Sequence, residues 1–135
     1  MDKLLHKDLT DAIIKVYYAV YNELGYGFLE KVYQNAFYLE LKSQGFNVTA
    51  QEQIKVYYKE DFVGEYYADL IVEDTIIIEL KAAEILVHEN ELQLINYLRA
   101  TDKEIGLLFN FGKKPEFKRK IFTNDKKRIN IENLW

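Results

Sequence analysis

Apolar residues recur every three or four positions in three stretches of the chain, which is the spacing of an amphipathic helix. Gly25 follows the first stretch and Gly45 follows the second, and glycine is common just beyond the end of a helix. The pattern therefore predicts three helices, at residues 9–24, 29–41 and 89–100.

The segments between these helices alternate between apolar and polar residues or become continuously apolar, as β-strands do. The run Ile76-Ile77-Ile78 is typical of a central strand that is buried on both faces. Strands are predicted at residues 53–58, 62–72, 75–81 and 105–111, with an edge strand at 117–123. This order predicts an α/β fold in which an antiparallel three-strand meander, and a strand that follows a helix, form a mixed sheet flanked by helices.

Length and composition indicate a single domain spanning residues 1–135. The chain contains no cysteine, which excludes disulfides, thiolate metal sites and cysteine nucleophiles. It has neither the apolar core of a signal peptide nor the run of roughly 18 apolar residues that a membrane-spanning helix needs. We therefore expect a cytoplasmic protein that has no membrane partner.

The charge of the chain is unevenly distributed. Residues 1–112 carry 10 basic and 19 acidic side chains, a net charge of −9, whereas residues 113–128 carry eight basic and two acidic ones, a net charge of +6. An acidic body with a basic C-terminal strip suits a metal centre beside an edge that contacts phosphates. The alternative is that the strip, residues 113–128, is a solvated tail.

Two acidic residues and a lysine interrupt the most apolar part of the predicted sheet. Glu79 and Lys81 share one face of the third strand because side chains alternate along a strand, and Asp69 lies among apolar residues of the second strand. A buried charge is costly unless it is paired or holds a metal, so one alternative is an ordinary ion pair between Glu79 and Lys81. Two convergent carboxylates would instead supply the oxygen ligands that Mg²⁺ prefers, and Lys81 would orient the attacking water.

The loop between the second and third strands decides whether these carboxylates converge. A two-residue loop, Glu73-Asp74, would pair Ala68 with Glu79 and leave Asp69 on the wrong face of the sheet. A three-residue loop, residues 73–75, pairs Asp69 with Glu79. A metal centre therefore requires the three-residue loop or a bulge with the same effect.

Asp69, followed ten residues later by Glu79-Leu80-Lys81, resembles the D…(D/E)-x-K core of the PD-(D/E)xK nuclease superfamily, with Ala68 in place of the usual proline. Residues 27–33 read G-x-x-E-x-x-Y, the motif that names a family of small stand-alone bacterial and archaeal proteins assigned to that superfamily. The resemblance extends from about residue 9 to residue 111. It implies a restriction-endonuclease-like domain.

The resemblance also implies an activity, namely metal-dependent hydrolysis of the phosphodiester bonds of DNA or RNA, with Mg²⁺ or Mn²⁺ as the cofactor. The metal ligands that it implies are Asp69, Glu79, Leu80 and Glu30. Lys81 would orient the attacking water. Gln93 and Tyr97 lie on one helix face and resemble the Q-x-x-x-Y feature of RecB-like exonucleases, in which such side chains help to hold the active centre and the DNA.

Simpler explanations of the flanking residues stay open at this stage. Glu30 in the first turn of a helix is favoured by the helix dipole alone. Gln93 and Tyr97 could be a surface glutamine beside a partly buried tyrosine.

Three classes of function compete for this sequence. The first is a nuclease, the second is a module that binds nucleic acid or protein on a nuclease scaffold without cleaving, and the third is a structural subunit of a larger defence or repair assembly. A homodimer is compatible with each of them. Five candidate residues favour the enzyme because a scaffold has no need of all five together: Asp69, Glu79, Lys81, Glu30 and Gln93.

Overall fold

A five-stranded sheet with helices on both faces forms the framework of the chain in the computed structural model, which describes residues 5–127. The helices are α1 Lys7–Leu24, α2 Glu30–Ser43 and α3 His88–Arg99. The strands are β1 Val48–Tyr58, β2 Asp61–Val72, β3 Ile76–Lys81, β4 Ile105–Phe111 and β5 Pro115–Ile121, followed by a 3-10 turn at Asn124–Lys126. The predicted α/β fold class is confirmed.

The strands lie in sequence order, β1-β2-β3-β4-β5, and the sheet is mixed. β1, β2 and β3 form the predicted antiparallel meander. β4 pairs parallel with β3, and β5 returns antiparallel to β4. The parallel pair needs a long connection between its strands, and α3 supplies it.

Each face of the sheet has its own hydrophobic core. The core under α1 and α2 contains β3 residues Ile76, Ile78 and Leu80, whereas Ile77 lies in the core under α3. β3 is therefore buried on both faces, as its continuous apolar run predicted. The side chain of Glu79 has the same orientation as that of Ile77, toward α3, because side chains alternate.

The predicted boundaries of the elements differ from the observed ones mainly in β1 and β5. β1 begins at Val48, five residues before the predicted start at residue 53, and it pairs there with Val72. Its first residues are largely exposed and polar, so the sequence showed no alternation in a segment that main-chain hydrogen bonds hold in the sheet. β5 begins at Pro115 and ends at Ile121, two residues before each predicted boundary.

The three helices match their predicted positions to within about two residues. Gly25 ends α1 in the left-handed half of backbone space, at φ 69°, where its N–H group donates to the carbonyl of Tyr21. Within residues 5–127, no helix combines the length and the apolar character needed to cross a membrane.

Candidate active site

The loop between β2 and β3 has the length that a metal centre requires. Val72 pairs with Ile76, and Leu70 with Ile78, so the connection is the three-residue loop, residues 73–75. Continuing this register by one residue places Asp69 opposite Glu79. The predicted register is therefore confirmed.

Asp69 and Glu79 are joined by two reciprocal hydrogen bonds. The main-chain N–H of Asp69 donates to Oε2 of Glu79 at 3.0 Å, and the N–H of Leu80 donates to Oδ2 of Asp69 at 2.8 Å. The regular main-chain pairing of β2 with β3 ends at Leu70 and Ile78. At the next position, the main-chain N–H groups donate to these two carboxylates instead. Each carboxylate keeps one oxygen that takes no part in these two bonds.

Burial disfavours the charged form of both carboxyl groups, and the charge of Asp69 adds to this effect at Glu79. Burial, followed by the charge of Asp69, raises the pKa of Glu79 to about 8, and Glu79 is only 6% exposed. Burial also raises the pKa of Asp69, although the N–H of Leu80 and the charge of Lys81 oppose this rise. Two carboxylates that repel each other in a buried place fit a divalent cation, because the cation neutralises both and prefers oxygen ligands.

Other groups near this pair have more limited roles as ligands. Leu80 could serve a metal only through its carbonyl oxygen, because its side chain is buried in the core under α1 and α2. Among residues 5–127, no three His, Cys, Asp or Glu side chains converge tightly enough to form a metal site by themselves. The pair Asp69 and Glu79, with main-chain oxygen and water, is therefore the ligand set that the geometry offers.

Lys81 lies on the same face of β3 as Glu79, and it is half-buried. Its charge lowers the pKa of both carboxyl groups, so it lies within electrostatic reach of each. The chain just beyond Lys81 is fixed by the buried side chain of Asn110, which accepts from the N–H of Ala83 at 3.0 Å and donates to its carbonyl at 2.9 Å. The sequence analysis missed Asn110, although an amide inside the apolar strand 105–111 was a usable signal.

Glu30 is the first residue of α2, and its side chain is exposed. Its charge nevertheless raises the pKa of both Asp69 and Glu79. Glu30 is therefore at the solvent side of the centre, close enough to act on it electrostatically and not enclosed within it.

The G-x-x-E-x-x-Y motif has a structural explanation in its tyrosine. The hydroxyl of Tyr33 donates to the carbonyl of Gly25 at 2.7 Å and accepts from the N–H of Phe28 at 3.2 Å. Its ring is fully buried and stacks on Phe111, with centroids 4.1 Å apart. Gly27 has φ 110°, which only glycine adopts readily. Tyr33 thus stabilises the turn that precedes α2, whose first residue is Glu30.

Gln93 and Tyr97 meet on α3, as their spacing predicted. The Nε2 group of Gln93 donates to the hydroxyl oxygen of Tyr97 at 2.7 Å, so the hydroxyl proton of Tyr97 remains available as a donor. Tyr97 is buried, and burial together with the charge of Glu79 raises its pKa to about 12. The pair is therefore on the side of α3 that faces the carboxylates.

A groove lies along α3, near the pair formed by Gln93 and Tyr97. Tyr66 packs on Tyr97 with ring centroids 5.1 Å apart, and with Asn96 it lines both a cavity of about 320 Å³ at Gln93 and a larger groove of about 820 Å³. The groove runs between α3 and the β1–β2 hairpin. Its other lining residues include Ile54, Lys55, Tyr57, Arg99 and Lys103.

The basic strip is part of the fold for most of its length. Residues 115–121 form β5, so the solvated-tail alternative is wrong for them. Lys120 forms an ion pair with Glu91 on α3 at 2.6 Å, and Arg119 donates to the carbonyl of Leu5 at 2.7 Å. Lys127 is buried and donates to main-chain carbonyls. Arg128 lies outside the described residues.

Lys118 forms no salt bridge among residues 5–127, and it lies in the same row of the sheet as Glu79. It pairs with Leu108 of β4, which in turn pairs with Glu79 of β3. Residues in one such row share a face of the sheet and lie about 4.8 Å apart per strand. Lys118 therefore lies two strands from Glu79 on the face that α3 covers.

Gln51 of β1 is a further residue that the sequence analysis missed. Its side chain lowers the pKa of Asp69, and its Nε2 group donates to Oε1 of Gln34 on α2 at 3.1 Å. A glutamine in a polar edge strand gave no sequence signal of such a contact.

The mixed sheet, its flanking helices and the acid, acid and lysine centre are consistent with a restriction-endonuclease-like fold. A family model described as the PD-(D/E)XK nuclease superfamily matches residues 7–120. The chain therefore belongs to this nuclease superfamily. Among curated proteins, and among solved structures, none matches the chain significantly.

Proposed function

We propose that this chain is a metal-dependent nuclease that hydrolyses phosphodiester bonds of nucleic acid, and that it belongs to the G-x-x-E-x-x-Y branch of its superfamily. The observation that carries the proposal is the reciprocal arrangement of Asp69 and Glu79, with Lys81 on the same face of β3. Two adjacent carboxyl groups, one buried and one half-buried, whose pKa values are both raised are unfavourable in a merely structural role. A catalytic metal centre gives a reason for it.

Asp69 and Glu79 would hold Mg²⁺ or Mn²⁺, together with the carbonyl oxygen of Leu80. When bound, such an ion activates water as a nucleophile and stabilises the charge that develops on the phosphate. Glu30, at the solvent side, would act on the ion through water molecules. The reciprocal main-chain hydrogen bonds hold both carboxylates in place before any ligand arrives.

The remaining residues would act on the water and the phosphate directly. Lys81 is positioned to orient the attacking water and to stabilise negative charge in the transition state. Tyr97 can donate its hydroxyl proton to a phosphate oxygen, because Gln93 supplies a hydrogen bond to its oxygen and so fixes the hydroxyl direction. These roles require no movement of the sheet.

The assay that tests the proposal uses the purified chain with single- and double-stranded DNA and RNA, in Mg²⁺, in Mn²⁺ and in EDTA. The expected result is cleavage of at least one substrate with either metal and none in EDTA. A chain that binds nucleic acid but cleaves no substrate with either metal would instead be a binding module.

The groove along α3 gives an expectation about binding. Tyr66 is 46% exposed, packs on Tyr97 and lines both cavities, so a base of the bound strand would stack on the exposed face of its ring. Tyr66→Ala is expected to weaken binding of a short single strand by about tenfold, since stacking contributes roughly 1–3 kcal/mol per base. Fluorescence anisotropy with a labelled oligonucleotide in Ca²⁺ would measure this. Tyr58→Ala, which removes another exposed tyrosine of the hairpin that does not line the groove, is the control and should leave affinity unchanged.

Lys118 gives a separate expectation about phosphate contact. Lys118→Glu should weaken binding and flatten the log–log dependence of affinity on salt by about one unit, because one phosphate contact releases about one counterion. Lys15→Glu on α1 makes the same charge change on an exposed residue of the opposite face. Equal salt dependence in the two variants would contradict a phosphate contact at Lys118.

A further inference from the structure

The backbone of β1 is irregular opposite Asp69. Gln51 has φ 55°, in the left-handed region, although it lies inside a strand. The flanking pairs, Ala50 with Leu70 and Glu52 with Ala68, keep one register, so neither strand has an extra residue here. The irregularity is therefore a local reversal of the backbone and not a bulge.

Both strands change face at this point. Val48 and Leu70 belong to the core under α1 and α2, whereas Ile54 and Ala68 belong to the core under α3. Residues an even number of positions apart share a face in a regular strand, so Val48 would share one with Ile54, and Leu70 with Ala68. The change of face falls between them, at the position of Gln51 and Asp69.

The identity of residue 51 is not explained by its backbone or by packing. A left-handed conformation is costly for a residue with a side chain, and glycine adopts it freely. Gln51 is exposed, so burial does not offset this cost. Its side chain joins two segments, since Gln51 lies opposite Asp69 in the β1–β2 pairing and donates to the buried Gln34 of α2 at 3.1 Å.

We propose that Gln51 is a positioning residue for the metal centre, which orients the Asp69 carboxylate from its place opposite Asp69 in the β1–β2 pairing and is itself fixed by its hydrogen bond to Gln34. The proposal rests on the proposed function in that it takes Asp69 to be a metal ligand. The partners that orient a ligand typically affect metal affinity by 10- to 100-fold. Gln51 would thus act through Asp69 without touching the substrate.

The test replaces Gln51 with glycine and measures Mn²⁺ binding to the full chain by isothermal titration calorimetry. Glycine suits φ 55°, so the fold should be kept and the melting temperature should equal or exceed that of the unmodified chain. The Mn²⁺ affinity should nevertheless fall by about tenfold or more. Gln34→Leu should produce a smaller loss in the same direction, because Gln51 then keeps its place opposite Asp69 and loses only the hydrogen bond that fixes it.

Lys59→Gly is the matched control. Lys59 also has a left-handed backbone, at φ 57°, but it lies in the exposed β1–β2 turn. It should gain stability as Gln51→Gly does, and its Mn²⁺ affinity should not change. Asp69→Asn gives the reference for a lost ligand.

The outcomes separate this proposal from the proposed function. Unchanged Mn²⁺ affinity in Gln51→Gly would overturn it even if the chain cleaves nucleic acid. A fall in affinity accompanied by a fall in melting temperature would make Gln51 a structural residue and would also overturn it. A chain whose Mn²⁺ binding depends on both Asp69 and Gln51, but which cleaves nothing, would support the positioning role and contradict the nuclease. Absence of Mn²⁺ binding in the unmodified chain would overturn both.

Discussion

Asp69→Asn and Glu79→Gln are each expected to lower Mg²⁺-dependent cleavage by about a thousandfold or more. Each substitution keeps the shape of the side chain and removes one negative oxygen ligand from a cation that prefers carboxylates. A metal ion contributes several kcal/mol to the transition state, and about 4 kcal/mol corresponds to a thousandfold in rate. Initial rates on the substrate that the unmodified chain cleaves best would measure the loss.

Lys81→Ala distinguishes the residue that acts on the water from the residues that bind the metal. Because Lys81 is expected to act on the water and the transition state, its loss should reduce turnover by about a hundredfold or more while Mn²⁺ still binds. In Asp69→Asn and Glu79→Gln, by contrast, both Mn²⁺ binding and turnover should be lost. Weaker Mn²⁺ binding in Lys81→Ala than in Asp69→Asn would contradict this division of roles.

Asp61→Asn is the control for the acidic variants. Asp61 is an exposed carboxylate at the start of β2, the strand that carries Asp69. Its neutralisation changes the net charge of the chain equally and should leave cleavage unchanged. If Asp61→Asn and Asp69→Asn lost activity to the same extent, the effect would come from overall charge and the proposed centre would be wrong.

The elements of the fold could be predicted because their side-chain pattern follows from burial. β3 and β4 are buried on both faces and appear in the sequence as apolar runs, and β4 was predicted at its observed residues 105–111. The antiparallel pairing of β2 with β3 also followed, since the short loop leaves few registers. β1 was predicted too short because main-chain pairing, which carries no side-chain signal, holds its first residues in the sheet.

The centre of the site could be predicted for a similar reason. A charged side chain in an apolar strand needs a partner, so Asp69 and Glu79 could be singled out, and a metal centre required the three-residue loop, or an equivalent bulge, that would bring them together. Asn110 stands out in the sequence as an amide inside an apolar strand, but its partner could not be assigned, and Gln51 gave no signal, because the partners of both come from distant segments. Their roles depend on contacts that appear only when the sheet is assembled.

The basic strip shows what a charge pattern in the sequence cannot predict. Its cluster of positive charge is evident in the sequence, but the sequence does not say which charges already have partners. Lys120 is paired with Glu91, and Arg119 and Lys127 donate to main-chain carbonyls. These three cations therefore stabilise β5 and its neighbours, whereas Lys118 lies in the row of the sheet that contains Glu79.

The stability of the metal-free chain is expected to fall as the pH rises from about 5 to about 9. The pKa of Glu79 is about 8 in the folded chain and 4.5 when it is unperturbed, so between these values the folded state binds more protons than the unfolded state. The free energy of unfolding therefore decreases with rising pH across this range, and Asp69, whose pKa is also raised, contributes in the same direction. The expected loss is on the order of 3 kcal/mol, or roughly 10 °C in melting temperature.

Glu79→Gln isolates this effect, because glutamine resembles the protonated carboxyl group and does not ionise. In EDTA the variant should match the unmodified chain near pH 5 and should be more stable than it at pH 9. Mg²⁺ should then raise the melting temperature of the unmodified chain at the higher pH and leave that of Glu79→Gln nearly unchanged, since the cation takes the place of the proton between the two carboxylates. Thermal unfolding followed by circular dichroism at the two pH values, with and without Mg²⁺, measures all four differences. Equal pH dependence in the two proteins would mean that Glu79 is already ionised without metal. The two carboxyl groups would then lack the raised pKa values that favour a cation between them, and the proposed centre would be contradicted.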